Sequence, residues 1–120
     1  MTPIPADVLL FFFIKMDIEL IDTMLDEDEH YLNMNYVDFK KYLTDGFEKH
    51  KALGDTDLLA LKGKYDTAQK PGYSFMGNKS FERFDLILEV DTENRIVNML
   101  RSDNFQFDDN SFIITNRQIK

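Results

Sequence analysis

A chain of 120 residues suits one domain, here expected to span residues 1–120, and a hydrophobic share of 43% with eleven Phe supplies a core. The absence of cysteine excludes disulfides, thiolate metal sites and cysteine nucleophiles, and the expected location is the cytoplasm. With 22 acidic against 14 basic residues and no basic cluster, the net charge of −8 predicts no nucleic-acid partner and no membrane partner.

The first expected element is a helix. Thr2 precedes Pro3 and Pro5, which are tolerated in a first turn whose amides lack partners, so Thr2 is the expected cap. From Leu9 to Leu25 the apolar residues fill an arc of about 220° on a helical wheel, with Lys15, Glu19, Asp22 and Thr23 on the remainder. The apolar run Val8 to Ile14 is too short for a membrane span and lacks the flanks of a signal peptide. Asp17 falls in the middle of the arc. Either it is a carboxylate in an apolar cavity, its pKa raised by desolvation, or the helix is really two and Asp17 caps the second through the amides of Glu19 or Leu20. The cap is the preferred reading.

Asp26 to Glu29 with His30 reads as a solvated acidic loop. A calcium loop needs ligands at alternate positions and a glycine to turn the chain, so no metal site is expected. His30-Tyr31-Leu32 reads as a short strand. Asn35 has the form of an N-cap, and a helix follows to about Leu53, where Gly54 stops it. Its apolar stripe is Tyr36, Phe39, Leu43, Phe47 and His50; Lys40, Lys41, Thr44, Asp45, Glu48 and Lys51 are expected in water. Gly46 within this helix predicts close packing against another backbone. His50 is either a ligand or base or, preferably, a residue that caps and packs near the negative end of the helix dipole.

Leu59, Leu61, Gly63 and Tyr65 alternate with Ala60, Lys62 and Lys64, which predicts a strand with 66–71 as its loop. The best-specified region follows. Tyr73 to Met76 and a strand from Phe81 flank a Gly77-Asn-Lys-Ser80 turn. In the second strand Phe84, Leu86, Leu88 and Val90 alternate with Arg83, Asp85 and Glu89. Asp91-Thr-Glu-Asn94 then leads to Ile96 to Leu100, with Asn94 as the residue at positive φ. These strands form an antiparallel meander. The tail, Asp108 to Lys120, has three readings: it frays, extends the last strand or covers a sheet edge.

Helices first and a meander last is an α+β order in which a curved antiparallel sheet wraps N-terminal helices. The stretch FFFIKMDIELIDTMLDEDEHYL resembles the opening of the nuclear transport factor 2-like superfamily, of cystatin-like fold, and YSFMGNKSFERFDLILEVDTENRIVNML is similar to the hairpin of its small bacterial members. The resemblance covers most of residues 6 to 107. It implies a cone whose interior holds a ligand pocket or active site, makes Asp17 the aspartate between the first two helices, and points to a twofold dimer. Isomerase-like members carry a tyrosine on the first helix as an oxyanion donor. This chain has Phe11, Phe12 and Phe13 there, so no catalytic residue transfers. Gly-rich phosphate loops, GxSxG and HExxH are absent.

The leading functional expectation is a non-catalytic binding module for a small apolar ligand or a protein partner, without cofactor. The alternative is a small isomerase- or dehydratase-type enzyme, and a third reading is an acidic inhibitor or immunity-type protein. Pocket candidates are Tyr31, Tyr65, Tyr73, Asp85 and Arg101, all on expected strands, with the concave side left open. A homodimer is expected through the outer face of the strands from Tyr73 to Phe107, because Ile96, Val97, Met99, Leu100, Phe105 and Phe107 place apolar groups on both faces.

Overall fold

The computed structural model describes residues 1–107 and 113–114. In chain order the elements are β1 (Ile4–Pro5), α1 (Ala6–Ile14), α2 (Ile18–Met24), α3 (Tyr36–Ala52), β2 (Leu58–Tyr65), β3 (Lys70–Gly77), β4 (Arg83–Val90), β5 (Arg95–Leu100), β6 (Phe105–Phe107) and β7 (Ile113–Ile114). The fold is α+β: the helices lie in the concave face of a strongly curled antiparallel sheet of order β1-β5-β4-β3-β2-β6, with β7 also on β2. Two irregularities curl the sheet. Asp85 and Leu86 of β4 have no partner opposite the Ser74–Phe75 bond, and the β4–β5 register shifts between Glu89 and Val90.

The break in the apolar helix is real. Met16 is left-handed at φ 54°, and Asp17 is the N-cap of α2, its carboxylate accepting from the Leu20 amide at 3.1 Å. Asn35 caps α3 in the same way through the Asp38 amide at 2.9 Å, and Gly54 (φ 94°) follows its C-cap Leu53.

Thr2, in contrast, caps nothing. Ile4 and Pro5 pair with Ile96 and Arg95, so the segment before α1 is extended, and the Thr2 amide and hydroxyl both donate to Glu29. The Ala6 amide donates instead to the Asn94 carbonyl at 3.0 Å. A side-chain cap contributes about 1 kcal/mol, whereas each buried Leu, Phe or Ile contributes about 1.5–3 kcal/mol. Burial of Leu9, Leu10, Phe13 and Ile14 therefore decides where α1 sits.

The three-strand meander is as expected, and the Asp91–Asn94 turn carries Asn94 at φ 58°. Other local expectations need correction. Tyr31 is no strand residue: Leu32 and Asn33 both have positive φ, so Tyr31 and Met34 pair across a tight turn. Lys70 and Pro71 belong to β3, which continues further than the alternation predicts, and Phe81 belongs to the turn, since β4 starts at Arg83. Lys40 and Thr44 are half-buried, because Lys40 reaches Asp22 on α2 at 3.3 Å. A Cβ on Gly46 would stand 2.6 Å from Cε2 of Phe84, so the close neighbour is a ring and not a backbone. The readings of the tail fall largely outside the described residues; within them, Ile113 and Ile114 pair with Leu61 and Ala60 along the edge of β2.

Candidate functional site

The interior of the cone is filled by rings. Phe75 stacks on Phe13 at 5.3 Å, Phe13 meets Phe47 edge-on at 6.0 Å, and Phe47 meets Phe84 at 5.2 Å. All four are buried, with Leu9, Leu43, Leu86 and Leu88 around them. Tyr42 and His50 of α3 extend the run of rings outward from Phe84 to the surface.

The five candidate residues do not converge there. Tyr31 stacks on Phe39 at 5.0 Å within the helix layer; its hydroxyl accepts from the Asp26 amide at 2.9 Å and donates to Glu29 at 3.1 Å. Tyr73 is buried on the concave face, its hydroxyl 3.5 Å from the Asn94 side chain. Tyr65 lies on the opposite face and donates to Glu89 at 2.5 Å; burial first, and then that bond, push its phenol well above the usual range. Only Asp85 and Arg101 come together, 4.0 Å apart at the exposed rim, with the Arg101 guanidinium 5.9 Å over the Tyr42 ring. Tyr42 donates to the Asp85 carbonyl at 2.5 Å, one of the backbone groups that the β4 bulge leaves without a strand partner.

That rim opens a cleft of about 320 Å³ lined by Tyr42, Asp45, Gly46, Lys49, His50, Arg83, Phe84 and Asp85. His50 forms its floor at 1% exposure, placed there by the same i, i+3, i+4 spacing that buries Phe39, Leu43 and Phe47. Its Nδ1 lies 2.8 Å from Oδ2 of the fully buried Asp55 carboxylate. Asp55 also accepts from the Lys79 amide (2.9 Å), the Ser80 amide (2.7 Å) and the Ser80 hydroxyl (2.6 Å). Burial pushes the Asp55 carboxyl up, but the Ser80, His50 and Lys79 bonds together outweigh it and hold the group far below the usual carboxylate range.

An ionised Asp55 can only accept, so Nδ1 of His50 donates to it, and Nε2 is the ring nitrogen left for the cleft. Nε2 has no hydrogen bond and is not fully enclosed: Asp22 Oδ1 is the one enclosed, unpartnered side-chain polar atom among the described residues. The imidazole thus presents an oriented ring nitrogen to the cleft. Sequence reasoning reached His50 but missed Asp55, which reads as a plain loop residue; apart from His50 five positions back, its donors lie 24 and 25 positions away, where no local spacing marks them.

Among the described residues no group of three or more His, Asp or Glu is arranged to hold a metal ion, and no helix is long and apolar enough to cross a membrane. Compared with protein-family models, with curated proteins and with solved structures, the chain matches none.

Proposed function

We propose that this protein is a non-catalytic binding module that engages a protein partner at its surface. The observation that supports this reading is the filled cone: a small apolar ligand would have to displace Phe13, Phe47 or Phe75 from close ring contacts, and core side chains resist such displacement. Titration with apolar fragments, followed by amide NMR, tests it. The expected result is no response from interior residues; a fragment whose shifts centre on Phe13, Phe75 and Leu88 would move the ligand into the cone and overturn the surface reading.

The isomerase- or dehydratase-type alternative is favoured by one observation, the Asp55-oriented His50 at the cleft floor beside Tyr42 and Asp85. In this reading Nε2 takes a proton from a substrate while Asp55 stabilises the resulting cation. Imidazole ¹⁵N spectra test it, because a proton resident on Nε2 at neutral pH would remove the base.

The proposal has two further parts. The α+β order and the Asp17 cap favour membership of the nuclear transport factor 2-like superfamily. The homodimer through the sheet has a reduced motive, since Ile96, Met99 and Ile87 are buried within the single chain and Val97, Leu100 and Phe105 are half-buried. Light scattering at micromolar concentration decides it, a mass near 14.2 kDa sinking the dimer.

A further inference from the structure

The corner where α3 ends and the β3–β4 turn begins presents two large apolar side chains to solvent, Phe81 at 65% exposure and Leu53 at 47%. Phe81 is the more telling. Its backbone is left-handed at φ 59°, a conformation that L side chains with a Cβ adopt at a cost. Met16 and Leu32 share that conformation, but Met16 is buried and Leu32 packs against the core, so burial compensates them. Phe81 has the strain without the burial. The other exposed left-handed residues with a Cβ, Asn33, Asp66, Gln69 and Asn94, are polar, so among the described residues Phe81 alone combines this strain with an exposed large apolar side chain, which points to a position used for contact.

The corner is also rigidly built. Besides the bonds from Lys79 and Ser80 to Asp55, the Asn78 amide donates to the Asp57 carbonyl at 3.1 Å, the Thr56 amide donates to the Asn78 side chain at 3.1 Å, and the Asn78 side chain donates to Thr56 Oγ1 at 2.9 Å. Leu53 stands two residues before Asp55 and Phe81 one after Ser80, so both flank one joint. Its charge is unlike the rest of the molecule. Lys49, Lys51 and Lys79 are all exposed there, and none of the three makes an ion pair among the described residues, in a chain of net charge −8. Asp45, Glu48 and Glu82 are exposed acids near them, and Asp45 is held by Lys41 at 2.6 Å.

We infer that this corner docks an acidic segment of a partner protein that carries an apolar side chain, with Phe81 and Leu53 as the apolar contact and Lys49, Lys51 and Lys79 as the charged rim. The inference rests on the binding-module reading and names the partner's chemistry. Apolar anchors set affinity, and a rim in which unpaired lysines outnumber unpaired acids sets orientation.

Selection of a random displayed-peptide library on the intact chain, followed by fluorescence anisotropy on the enriched peptides, tests it. Enriched peptides are expected to be acidic around an apolar residue, with affinity that weakens as salt rises. Phe81→Gly relieves the left-handed strain, so it folds, and is expected to weaken binding at least about tenfold. Lys79→Glu should also weaken it, and Val37→Ser, at an exposed position at the start of α3, should leave it unchanged. Enriched peptides that are neutral or basic, or that bind Phe81→Gly as well as the native chain, overturn the inference. Peptides that bind elsewhere sink the corner and leave the binding-module reading standing, whereas no enrichment of any peptide sinks both. Self-association that depends on Phe81 would name a second copy as the occupant and overturn the acidic partner.

Discussion

The two hairpin turns of the meander solve one problem by opposite means. Each reverses an antiparallel pair and each contains a residue near φ 58–59°, Asn94 in one and Phe81 in the other. In the β4–β5 turn the acceptors of the turn's own amides are local. Asp91 accepts from the amides of Glu93 and Arg95 at 2.9 Å each, its other oxygen holds the Arg95 side chain, and Asn94 is a residue type that tolerates the left-handed region. The β3–β4 turn is local only in part, the Phe81 amide donating to the Gly77 carbonyl and the Glu82 amide to Ser80 Oγ, each at 3.1 Å. Its amides at Lys79 and Ser80 are satisfied by Asp55, at the end of α3, and a Cβ at Gly77 would collide with that carboxylate. A turn made from its own residues forms wherever the sequence goes; a turn made around a distant carboxylate forms only when the helix is in place.

The largest expected effect comes from removing that carboxylate. Asp55→Ala leaves two amides, a hydroxyl and His50 without their buried acceptor, and should cost about 3 kcal/mol or more in chemical denaturation. Asp91→Ala, in the solvated turn, should cost clearly less. Equal losses would break the comparison.

The same carboxylate sets a pH dependence. Because the folded state depresses the Asp55 pKa, the stability it contributes is fully present above the ordinary carboxylate value of about 3.9 and is lost as pH falls below it. The stability gap between the native chain and Asp55→Ala should therefore narrow below about pH 4. A gap that stays constant down to pH 2 would mean that the group is not ionised in the fold.

Asn94→Val should cost about 1–2 kcal/mol for a β-branched residue in the left-handed region. Asn94→Gly should be close to neutral, the backbone gain offsetting the lost bond from its side chain to Asp7 at 2.9 Å. Equal thermal midpoints for all three residues would show that residue 94 is not held in the left-handed region. Asp17→Ala, at the other local cap, should cost about 1 kcal/mol; a loss near zero would show that Met16 alone breaks the helix.

The smallest effect has the opposite sign. Phe81→Gly should raise stability by up to about 1 kcal/mol, since the strained position gains a permissive residue and loses little burial. A clear loss of stability would show that the ring packs usefully where it stands.

Features with short-range causes were legible in the residues alone. The Asp17 and Asn35 caps each depend on a side chain three positions from the amide it satisfies, the Gly54 stop and the Asn94 turn depend on one residue's tolerance of positive φ, and the alternation in β4 follows from the pleat. Tertiary structure decided what depends on distant partners. Thr2 lost its capping role because Ile4 and Pro5 found β5, Tyr65 and Tyr73 were sent to opposite faces of the sheet by the register of β2 and β3, and the β4 bulge moved Asp85 to the rim. The His50 cleft exists because Asp55 collects donors from a turn more than twenty residues downstream, a coincidence of position that no local spacing encodes.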